Sequence, residues 1–428
     1  MQGNEPSLNR RMFLRGAAGV LGAVAAPGLL AACTRNDAQS EASPAADPDP
    51  GTAPENLDFE APDGGGSADG LRVGLLVPTS GVYTTLGSAM VQGFNLFVGE
   101  NLDAFGGRRI ETVTVDEGET PESGVEAAQR LLNEEQVDLV VGIVSSGVAL
   151  NVRDLFDQGQ VPLIIANAGA GALTGQARSP YLFRTSFSNA QEGYALGQYM
   201  YDNVTEQGVY LIGPDYAAGI EHLVGFRKAY EEAGGVVLRE SHPAFATTED
   251  YTPFLDEIKE IDAEAVWAFF SGAEAVRFVQ QYAEAGLQDD VPLLGTPLTD
   301  ENWIEAQGDA AEGVRSSLHY ALDLDLDRNR QFVSAYQAAY GVMPSSFSVQ
   351  AYDAAQLLAL GLQATEGDTS NMEAFIEAMA SIEEIDSPRG AFTLDGNRNP
   401  VQSFYLRTVE DGEIVYTEDL GVVADPLN

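Results

Sequence analysis

The feature that most constrains the fold is a regular alternation of strand-like and helix-like segments that begins at Leu71. The apolar run LRVGLLVP is followed by the helix-like SAMVQGFNLFVGENL, the strand-like IETVTVDE, the helix-like PESGVEAAQRLLNEEQ and the strand-like VDLVVGIV. The alternation restarts at GVYLIG and continues to VPLLG. Strands and helices that take turns with short connections form parallel sheets covered by helices on both faces. The sequence therefore predicts an α/β protein with two lobes.

The last third of the chain follows a different pattern. It is mostly helical, with predicted helices over residues 328–340, 349–364 and 372–379, and it ends with the strand-like segments GAFTLD, SFYLRTV and GEIVYTE. A chain of 428 residues is long enough for two globular domains, since domains usually hold roughly 100–200 residues. The helices and final strands are therefore expected to complete the two lobes.

Residues 1–33 have the pattern of an export signal. Arg10 and Arg11 precede a Gly- and Ala-rich apolar stretch that closes with Leu-Ala-Ala-Cys at Cys33. The arginine pair is typical of the twin-arginine route, and the stretch is too short for a membrane span. Leu-Ala-Ala-Cys resembles the lipobox of bacterial lipoproteins, whose cysteine is acylated and becomes the first mature residue. We expect export and a lipid anchor at Cys33 on the outer face of the cytoplasmic membrane, in the periplasm or at the cell surface; an unmodified Cys33 is the alternative.

The segment 34–70 is rich in Pro, Gly, Ala, Ser and acidic residues and has no apolar periodicity. Such a composition predicts a disordered acidic tether between the anchor and the folded part. Cys33 is the only cysteine, which excludes a disulfide within one copy and a cysteine-rich metal site.

The net charge of −43 results from 65 acidic residues against 22 basic ones. This charge argues against nucleic acid as a partner, because phosphates would be repelled, and against binding to an anionic membrane surface. Contact with the membrane is expected through the lipid anchor alone. The acidic, lysine-poor composition resembles proteins of saline habitats, and an acidic secreted protein of a GC-rich genome is the equal alternative.

Open parallel sheets bind ligands at the carboxyl ends of their strands, so the loops after the predicted strands are the informative ones. In VGIVSSGVALNV, two serines stand between a strand and a helix. They either cap the helix or face a ligand oxyanion at its positive end. The other loops at this edge, PTSGVYTTLG among them, are also small, polar or rich in glycine.

Several segments occur in an order that resembles a known family. LLVPTSGVYTTLG, GIVSSGVALNV, PLIIANAGAGALTG, IGPDYAAGIE and QAYDAAQLLALGL resemble the type I periplasmic solute-binding proteins of the branched-chain amino acid, amide and aromatic-acid ABC-transport group. The resemblance implies two Rossmann-like lobes with parallel sheets, joined by three hinge crossings, with the ligand clamped between them. Carried onto this chain, lobe one spans 71–187 and 321–388, and lobe two spans 188–320 and 389–428.

The resemblance also implies ligand contacts. In the amino acid-binding members, the ligand carboxylate is held by the serine-bearing loop, which falls on Ser146, and by the loop after the next strand, which falls on Asn167 to Gly169. Together with neighbouring residues at the same edge, the candidate ligand contacts are Tyr83, Ser145, Ser146, Gly147, Asn167, Ala168, Gly169, Tyr216, Phe270 and Thr296.

Two departures from the family pattern bear on the ligand. Gly169 stands where the amino acid binders have a threonine, and Pro297 stands where they have the glutamate that holds the α-ammonium. Asp300 and Glu301 follow Pro297 and are expected in the next helix. A buried ammonium without an acidic partner would be costly. The ligand is therefore expected to lack an ammonium group.

Aromatic residues suggest a flat ligand. Tyr83, Tyr216 and either Phe269 or Phe270 are placed to flank a ring, although Phe269 is equally a core candidate. Arg184 either meets a ligand carboxylate or forms a structural ion pair. The sequence favours an aromatic or other non-amino carboxylate.

The sequence carries no signature of an enzyme. The three histidines lie far apart without metal spacing, no nucleophile elbow or phosphate loop is present, and LDLDLDRN lacks the glycine and glutamate of a calcium loop. We predict no catalysis, no cofactor and no metal. The expected role is a monomeric ligand-capturing subunit of an ABC importer, which delivers its ligand to a permease with ATPase subunits. The alternatives are binding of a branched-chain or other amino acid, and a sensor that signals to a membrane partner.

Overall fold

The computed structural model describes residues 70–427. The predicted export signal, Cys33 and the tether lie outside the described residues, except that Gly70 begins the first strand. The first sheet is formed by β1 (Gly70–Val77), β2 (Arg109–Asp116), β3 (Leu139–Gly142), β4 (Leu163–Ile165) and β5 (Leu182–Arg184). Its strand order is β2-β1-β3-β4-β5, and all neighbours are parallel.

The helices between these strands are α1 (Thr84–Glu100), α2 (Pro121–Gln129) and α3 (Ser146–Gln158). A single π-helical turn (Arg130–Glu134) extends α2. Thr120 and Ser123 cap the start of α2 reciprocally, each side chain accepting from the other's backbone N–H. Helix α2 packs against α3, so the β–α units predicted from the alternation form as expected.

The second sheet is formed by β6 (Gln207–Ile212), β7 (Val236–Ser241), β8 (Ala265–Ala268), β9 (Leu293–Gly295), β10 (Arg315–Leu318), β11 (Thr393–Leu394), β12 (Pro400–Glu410) and β13 (Glu413–Val423). Its order is β11-β12-β10-β9-β8-β6-β7, and β13 pairs with β12. The strands from β6 to β10 are parallel. The three C-terminal strands extend this parallel core as an antiparallel edge.

The helices associated with the second sheet are α4 (Asn189–Tyr194), α5 (Gly197–Asn203), α6 (Ala217–Ala233), α7 (Thr252–Glu260), α8 (Gly272–Glu284) and α9 (Ile304–Gln307). Helix α6 ends at Gly234, whose φ of 106° lies in the left-handed region that favours glycine. Among residues 70–427, no helix is long and apolar enough to cross a membrane.

The last three helices return to the first sheet. They are α10 (Asp327–Tyr340), α11 (Ser346–Ala364) and α12 (Met372–Ala380). Helix α11 packs against α1, and a Cβ atom at Gly93 would lie only 2.0 Å from the Ser348 carbonyl oxygen, so the close approach of these helices requires glycine. The chain thus passes between the sheets after β5, after β10 and before β11.

We call the first sheet with its helices lobe one and the second sheet with its helices lobe two. The two-lobed α/β fold with parallel sheets is confirmed. The residue limits given above for the lobes remain predictions. Buried Arg389, in the third crossing, contacts the first crossing and α11: its Nη1 donates to the Ser186 carbonyl at 3.2 Å, and its Nε lies 3.0 Å from Asp353 Oδ2.

Candidate ligand-binding cleft

A cavity of about 480 Å³ lies where loops after the strands of both lobes meet. Lobe one contributes the loops after β1, β2, β3 and β4, and lobe two contributes the loops after β6, β8 and β9. Seven of the ten predicted ligand contacts line this cavity, namely Tyr83, Ser145, Ser146, Gly147, Asn167, Gly169 and Tyr216. The fold brings them together, and their contact with a ligand remains a prediction.

The other three predicted contacts do not line the cavity. Phe270 lies in the apolar core and stacks on Phe278 with 4.5 Å between ring centroids, while the adjacent Phe269 faces the cavity. Thr296 is buried, and its hydroxyl donates to the Ser317 carbonyl at 2.7 Å. Ala168 is buried as well. Side chains that follow a strand point alternately to opposite sides, so a choice between neighbours can fall on the wrong one.

The two serines before α3 have different partners. Ser145 caps the helix, because its side-chain oxygen accepts from the Val148 N–H at 3.3 Å. Ser146 lines the cavity, and its oxygen accepts from the Ala170 N–H at 3.2 Å. The Ser146 hydroxyl proton therefore remains available to a ligand oxygen. Ser145 is therefore the capping residue, and Ser146 remains the candidate for ligand contact.

A carboxylate of the protein already occupies part of this loop. Glu117, directly after β2, accepts from the Val144 N–H and the Ser145 N–H, both at 2.9 Å. Burial raises the pKa of Glu117 to about 7, although these two hydrogen bonds lower it. Sequence reasoning missed Glu117, although its place at the end of a strand was a usable signal.

The start of α3 still has backbone donors for a ligand anion. Glu117 takes the N–H groups of Val144 and Ser145, and the Ser145 side chain takes that of Val148. The N–H groups of Ser146 and Gly147 have no hydrogen-bond acceptor among residues 70–427. Free N–H groups at a helix N-terminus form an anion-binding site.

The loop after β4 is shaped by Gly169. A Cβ atom there would lie 2.1 Å from Asn189 Oδ1 and 2.7 Å from Phe187 Cε2. The threonine of the amino acid binders therefore does not fit at this position without movement of its neighbours. Asn167 in the same loop donates its amide to Gln350 Oε1 on α11 at 2.9 Å.

Aromatic rings form much of the lobe-two side of the cavity. Tyr216 stacks on Phe245 with 4.1 Å between centroids, and His222 stacks on Phe269 at 3.8 Å. Burial raises the pKa of the phenols of both Tyr216 and Tyr83 above the ordinary value. This protonated, apolar lining suits the faces of a flat ring.

Acidic groups near the cavity have partners of their own or lie at its mouth. Pro297 lines the cavity where the family's glutamate is expected. Asp300 and Glu301 precede α9 rather than lying within it: Asp300 accepts from the Ser346 hydroxyl at 3.2 Å, and Glu301 lies 3.5 Å from Arg407. Glu119 lines the cavity but is exposed.

Glu192 is a second acidic group that sequence reasoning missed. It lines the cavity with 1% of its surface exposed, and its Oε2 lies 3.1 Å from His222 Nε2. Its Oε1 lies 3.3 Å from His319 Nδ1. Burial alone would raise the pKa of Glu192, but the two histidines bring that pKa below its ordinary value. Two histidines that are distant in sequence therefore meet around one carboxylate.

Arg184 is a structural residue. Its guanidinium is buried and hydrogen-bonds Asn399 Oδ1 at 2.7 Å, the Ala170 carbonyl at 2.9 Å and the Thr174 hydroxyl. Arg184 does not line the cavity. No ion pair of Arg184 with a carboxylate occurs within 4.0 Å among the described residues, so the expected alternatives of ligand contact and ion pair are both replaced by a hydrogen-bonded arginine.

The electrostatics of the cavity come from helix ends rather than from basic side chains. Residues at the N-termini of α3, α6, α8 and α11 line it, and no lysine or arginine does so in the part of the chain that the structure describes. Helix N-termini carry partial positive charge. Within residues 70–427, no group of three or more His, Cys, Asp or Glu residues is arranged to hold a metal ion.

Two α/β lobes with a cleft at their facing strand ends define the class of two-lobed solute-binding proteins. The periplasmic binding protein family model matches residues 70–413, and the chain belongs to this family. It is a solute-binding protein of an ABC transporter, and members of the family are exported to the periplasm or cell surface. The resemblance stated from the sequence is confirmed.

Similar proteins fall into two groups by what they are described to bind. An ABC transporter solute-binding protein from R. palustris in complex with benzoate is 37% identical, with a TM-score of 0.77 over 83% of this chain and 97% of its own. A second, from Rhodopseudomonas palustris BisB5 with 3,4-dihydroxybenzoic acid, is 30% identical, with a TM-score of 0.77 over 84% and 99%. The Leu/Ile/Val-binding protein homolog 6 of Brucella melitensis is 31% identical over 80% of this chain and 88% of its own.

Proposed function

We propose that this protein binds a small aromatic carboxylate between its lobes and delivers it to an ABC permease driven by separate ATPase subunits. The observation that carries the proposal is the start of α3, where the N–H groups of Ser146 and Gly147 and the Ser146 hydroxyl face a cavity with an aromatic wall. These groups can donate hydrogen bonds to a carboxylate, and the rings can stack on the faces of an aromatic ligand.

The alternative ligand is a branched-chain amino acid. The name of the Brucella melitensis relative favours it, whereas the benzoate and dihydroxybenzoate complexes of the R. palustris proteins favour an aromatic acid. Gly169 and Pro297 support the aromatic acid, because the threonine and glutamate that hold an amino acid in the family are absent there. A sensor that signals to a membrane partner would use the same cleft.

In the proposed cycle the ligand binds lobe one first, and the lobes then close around it. One contact across the lobes favours the closed state: Glu221 on α6 accepts from the Gly171 N–H after β4 at 3.0 Å. Within lobe two, the Asn189 side chain donates to the same carboxylate at 2.8 Å. The ligand drives closure only as far as it binds the closed state more tightly than the open one. The chain itself is proposed to perform no chemistry and to act as a monomer.

The proposed anchor is a lipid on Cys33 after export by the twin-arginine route. The basis is the Leu-Ala-Ala-Cys pattern around the only cysteine. Cys33→Ala is expected to release the protein from the membrane fraction without changing ligand affinity, as measured by fractionation and calorimetry. A Cys33→Ala protein that stays on membranes after a salt wash would contradict the anchor.

Thermal-shift measurements test the ligand class. The panel contains benzoate, hydroxybenzoates, phenylalanine and leucine, each at a range of concentrations. A ligand at 100 times its Kd stabilises the folded state by about 2.7 kcal/mol. We expect stabilisation by the aromatic acids, and stabilisation by leucine alone would contradict the proposal.

A further inference from the structure

A continuous chain of buried polar side chains runs between the two lobes at the edge of the cleft. Asn167 Nδ2 donates to Gln350 Oε1 at 2.9 Å, and Gln350 Nε2 lies 3.0 Å from His319 Nε2. His319 Nδ1 lies 3.3 Å from Glu192 Oε1, and Glu192 Oε2 lies 3.1 Å from His222 Nε2. We call these five residues the cleft relay. Four of them, all but His319, also line the cavity.

The carboxylate of Glu192, which lies between the two histidines, sets the direction of the hydrogen bonds that lead to Asn167. The 3.3 Å contact between His319 Nδ1 and Glu192 Oε1 lacks hydrogen-bond geometry, but the negative charge of that oxygen favours a proton on the nitrogen that faces it. Burial lowers the pKa of His319 to about 4, so the ring is neutral and its Nε2 is an acceptor. Gln350 must then turn its Nε2 toward His319 and its Oε1 toward Asn167. Through His319, Glu192 thereby determines whether the oxygen or the nitrogen of the Gln350 and Asn167 amides faces the next residue.

The far end of the relay is a proposed ligand contact. Asn167 must donate its Nδ2 to Gln350, and its Oδ1 accepts no hydrogen bond from the described residues. Asn167 is 6% exposed and lines the cavity. An amide oxygen held at a ligand site without a donor is costly to bury. A ligand that fills the cavity is therefore favoured if it brings a donor to this oxygen.

We propose that the cleft relay holds Asn167 with its carbonyl oxygen toward the ligand, so that the protein selects aromatic acids that carry a hydrogen-bond donor such as a ring hydroxyl. This inference rests on the proposed function and narrows its substrate class. Glu192, His319 and Gln350 are positioning residues in this account, because they act on the ligand through Asn167.

Matched ligands test the selection in the wild-type protein. Titration calorimetry compares 3- and 4-hydroxybenzoate with 3- and 4-methylbenzoate, whose substituents are similar in size but donate no hydrogen bond. Loss of the donor should weaken binding about tenfold for at least one isomer, since it leaves a buried acceptor unpaired. Equal affinities in both pairs would overturn the inference, while benzoate binding would leave the proposed function standing.

Two variants test the relay itself. Glu192→Gln removes the group that sets the direction, and Gln350→Leu removes the partner of Asn167. Each should reduce the hydroxyl-to-methyl affinity ratio to below about threefold, because Asn167 is then free to present either end of its amide. Glu232→Gln, an exposed carboxylate paired with Lys228 on α6, is the matched control and should keep the ratio.

The ratio, rather than the affinity, is the decisive quantity, since a general loss of structure weakens both ligands of a pair alike. An unchanged ratio in the folded variants would overturn the relay. If one variant fails to fold, the other variant and the wild-type pairs decide. Binding of leucine without any aromatic acid would instead refute the proposed function, and the inference with it.

Discussion

The two walls of the cleft recognise a ligand by different means. Lobe one presents small residues and backbone donors, with Ser146 and Gly147 at the start of α3 and Gly169 after β4, and it adds the rings of Tyr83 and Phe347. Lobe two presents rings, with Tyr216 stacked on Phe245 and other aromatic residues beside them. Lobe one thus supplies the hydrogen-bond donors that suit an anion, and the rings of lobe two are placed to cover an apolar face.

This difference explains how an anion can be bound without a basic side chain. Helix N-termini supply partial positive charge, and the backbone fixes the position at which the N–H groups of each terminus point. Glu117 limits that charge, because its carboxylate accepts from the first two N–H groups of the α3 loop. Substitutions in lobe one should therefore change binding more than substitutions in lobe two.

The largest expected effect is that of Gly169→Thr. The new Cβ would lie 2.1 Å from Asn189 Oδ1 and 2.7 Å from Phe187 Cε2, so the loop after β4 must move. Overpacking of this kind costs about 1–3 kcal/mol. We expect the loss of measurable aromatic-acid binding by calorimetry.

The matched control for this change is Gly171→Thr in the same loop. A Cβ atom there meets only Glu221 Oε1, at 3.9 Å, so ligand binding should be retained. If Gly169→Thr bound leucine tightly, the loop would be an amino acid site that lacks only its threonine. That result would contradict the assignment of lobe one.

The next effect concerns pH and Glu117. Its folded-state pKa of about 7 lies above the ordinary 4.5, so folding favours the protonated form. Stability from this group is fully present below pH 4.5 and is lost as the pH rises through 7. At 1.36 kcal/mol per pKa unit, the loss amounts to about 3 kcal/mol.

Glu117→Gln removes this titration. Denaturant unfolding of both proteins at a series of pH values should show a smaller loss of unfolding free energy between about pH 5 and pH 8 in the variant. The comparison isolates Glu117 because other buried carboxyl groups remain in both proteins. Parallel pH profiles for the two proteins would contradict a neutral Glu117 at the cleft.

The adjacent serines provide a sharper comparison within lobe one. Ser146→Ala removes a hydroxyl from the cavity, and a hydrogen bond to a charged group contributes about 1.5–3 kcal/mol. Affinity should fall roughly 10- to 150-fold. Ser145→Ala removes the cap of α3 and should lower the unfolding free energy by about 1 kcal/mol with little effect on affinity. Equal affinities of the two variants would contradict the division of roles.

The smallest effect is expected on the aromatic wall. Tyr216→Ala removes a ring that lines the cavity and should weaken an aromatic acid about tenfold, but a short aliphatic acid much less. Phe270→Leu is the control, since Phe270 lies in the core: it should lower the melting temperature and leave affinity unchanged. Equal losses for the two acids would mean that Tyr216 does not contact the ring.

The repeating units of the fold were predictable because each carries its own periodicity. The helix expected from Ala218 to Ala233 occurs as Ala217–Ala233, and the strand expected from Leu71 occurs as Gly70–Val77. Strand β10 was missed for a physical reason. Its buried residues include Ser316, which Arg407 contacts at 3.3 Å from a strand 91 residues later. A core made of serine and arginine leaves no local apolar signal.

The candidate site likewise has a part that the sequence predicts and a part that it does not. Loops at strand ends can be read from the sequence, and seven predicted residues came together in the cavity. The cleft relay could not be read, because Asn167 and Gln350 are 183 residues apart and meet only when α11 packs on lobe one. The sequence also could not show whether Phe269 or Phe270 lines the cavity, because this depends on the direction of each side chain at the end of β8.

Whether the cleft excludes an α-ammonium group is tested most directly by comparing two acids with their amino derivatives in the wild-type protein. Titration calorimetry should measure 3-phenylpropanoate against phenylalanine and 4-methylpentanoate against leucine, since each pair differs only by the α-ammonium. We expect the acid to bind more tightly in both pairs, by at least about 100-fold, because burial of an unpaired ammonium costs several kcal/mol. Tighter binding of the amino acid in either pair would contradict this expectation.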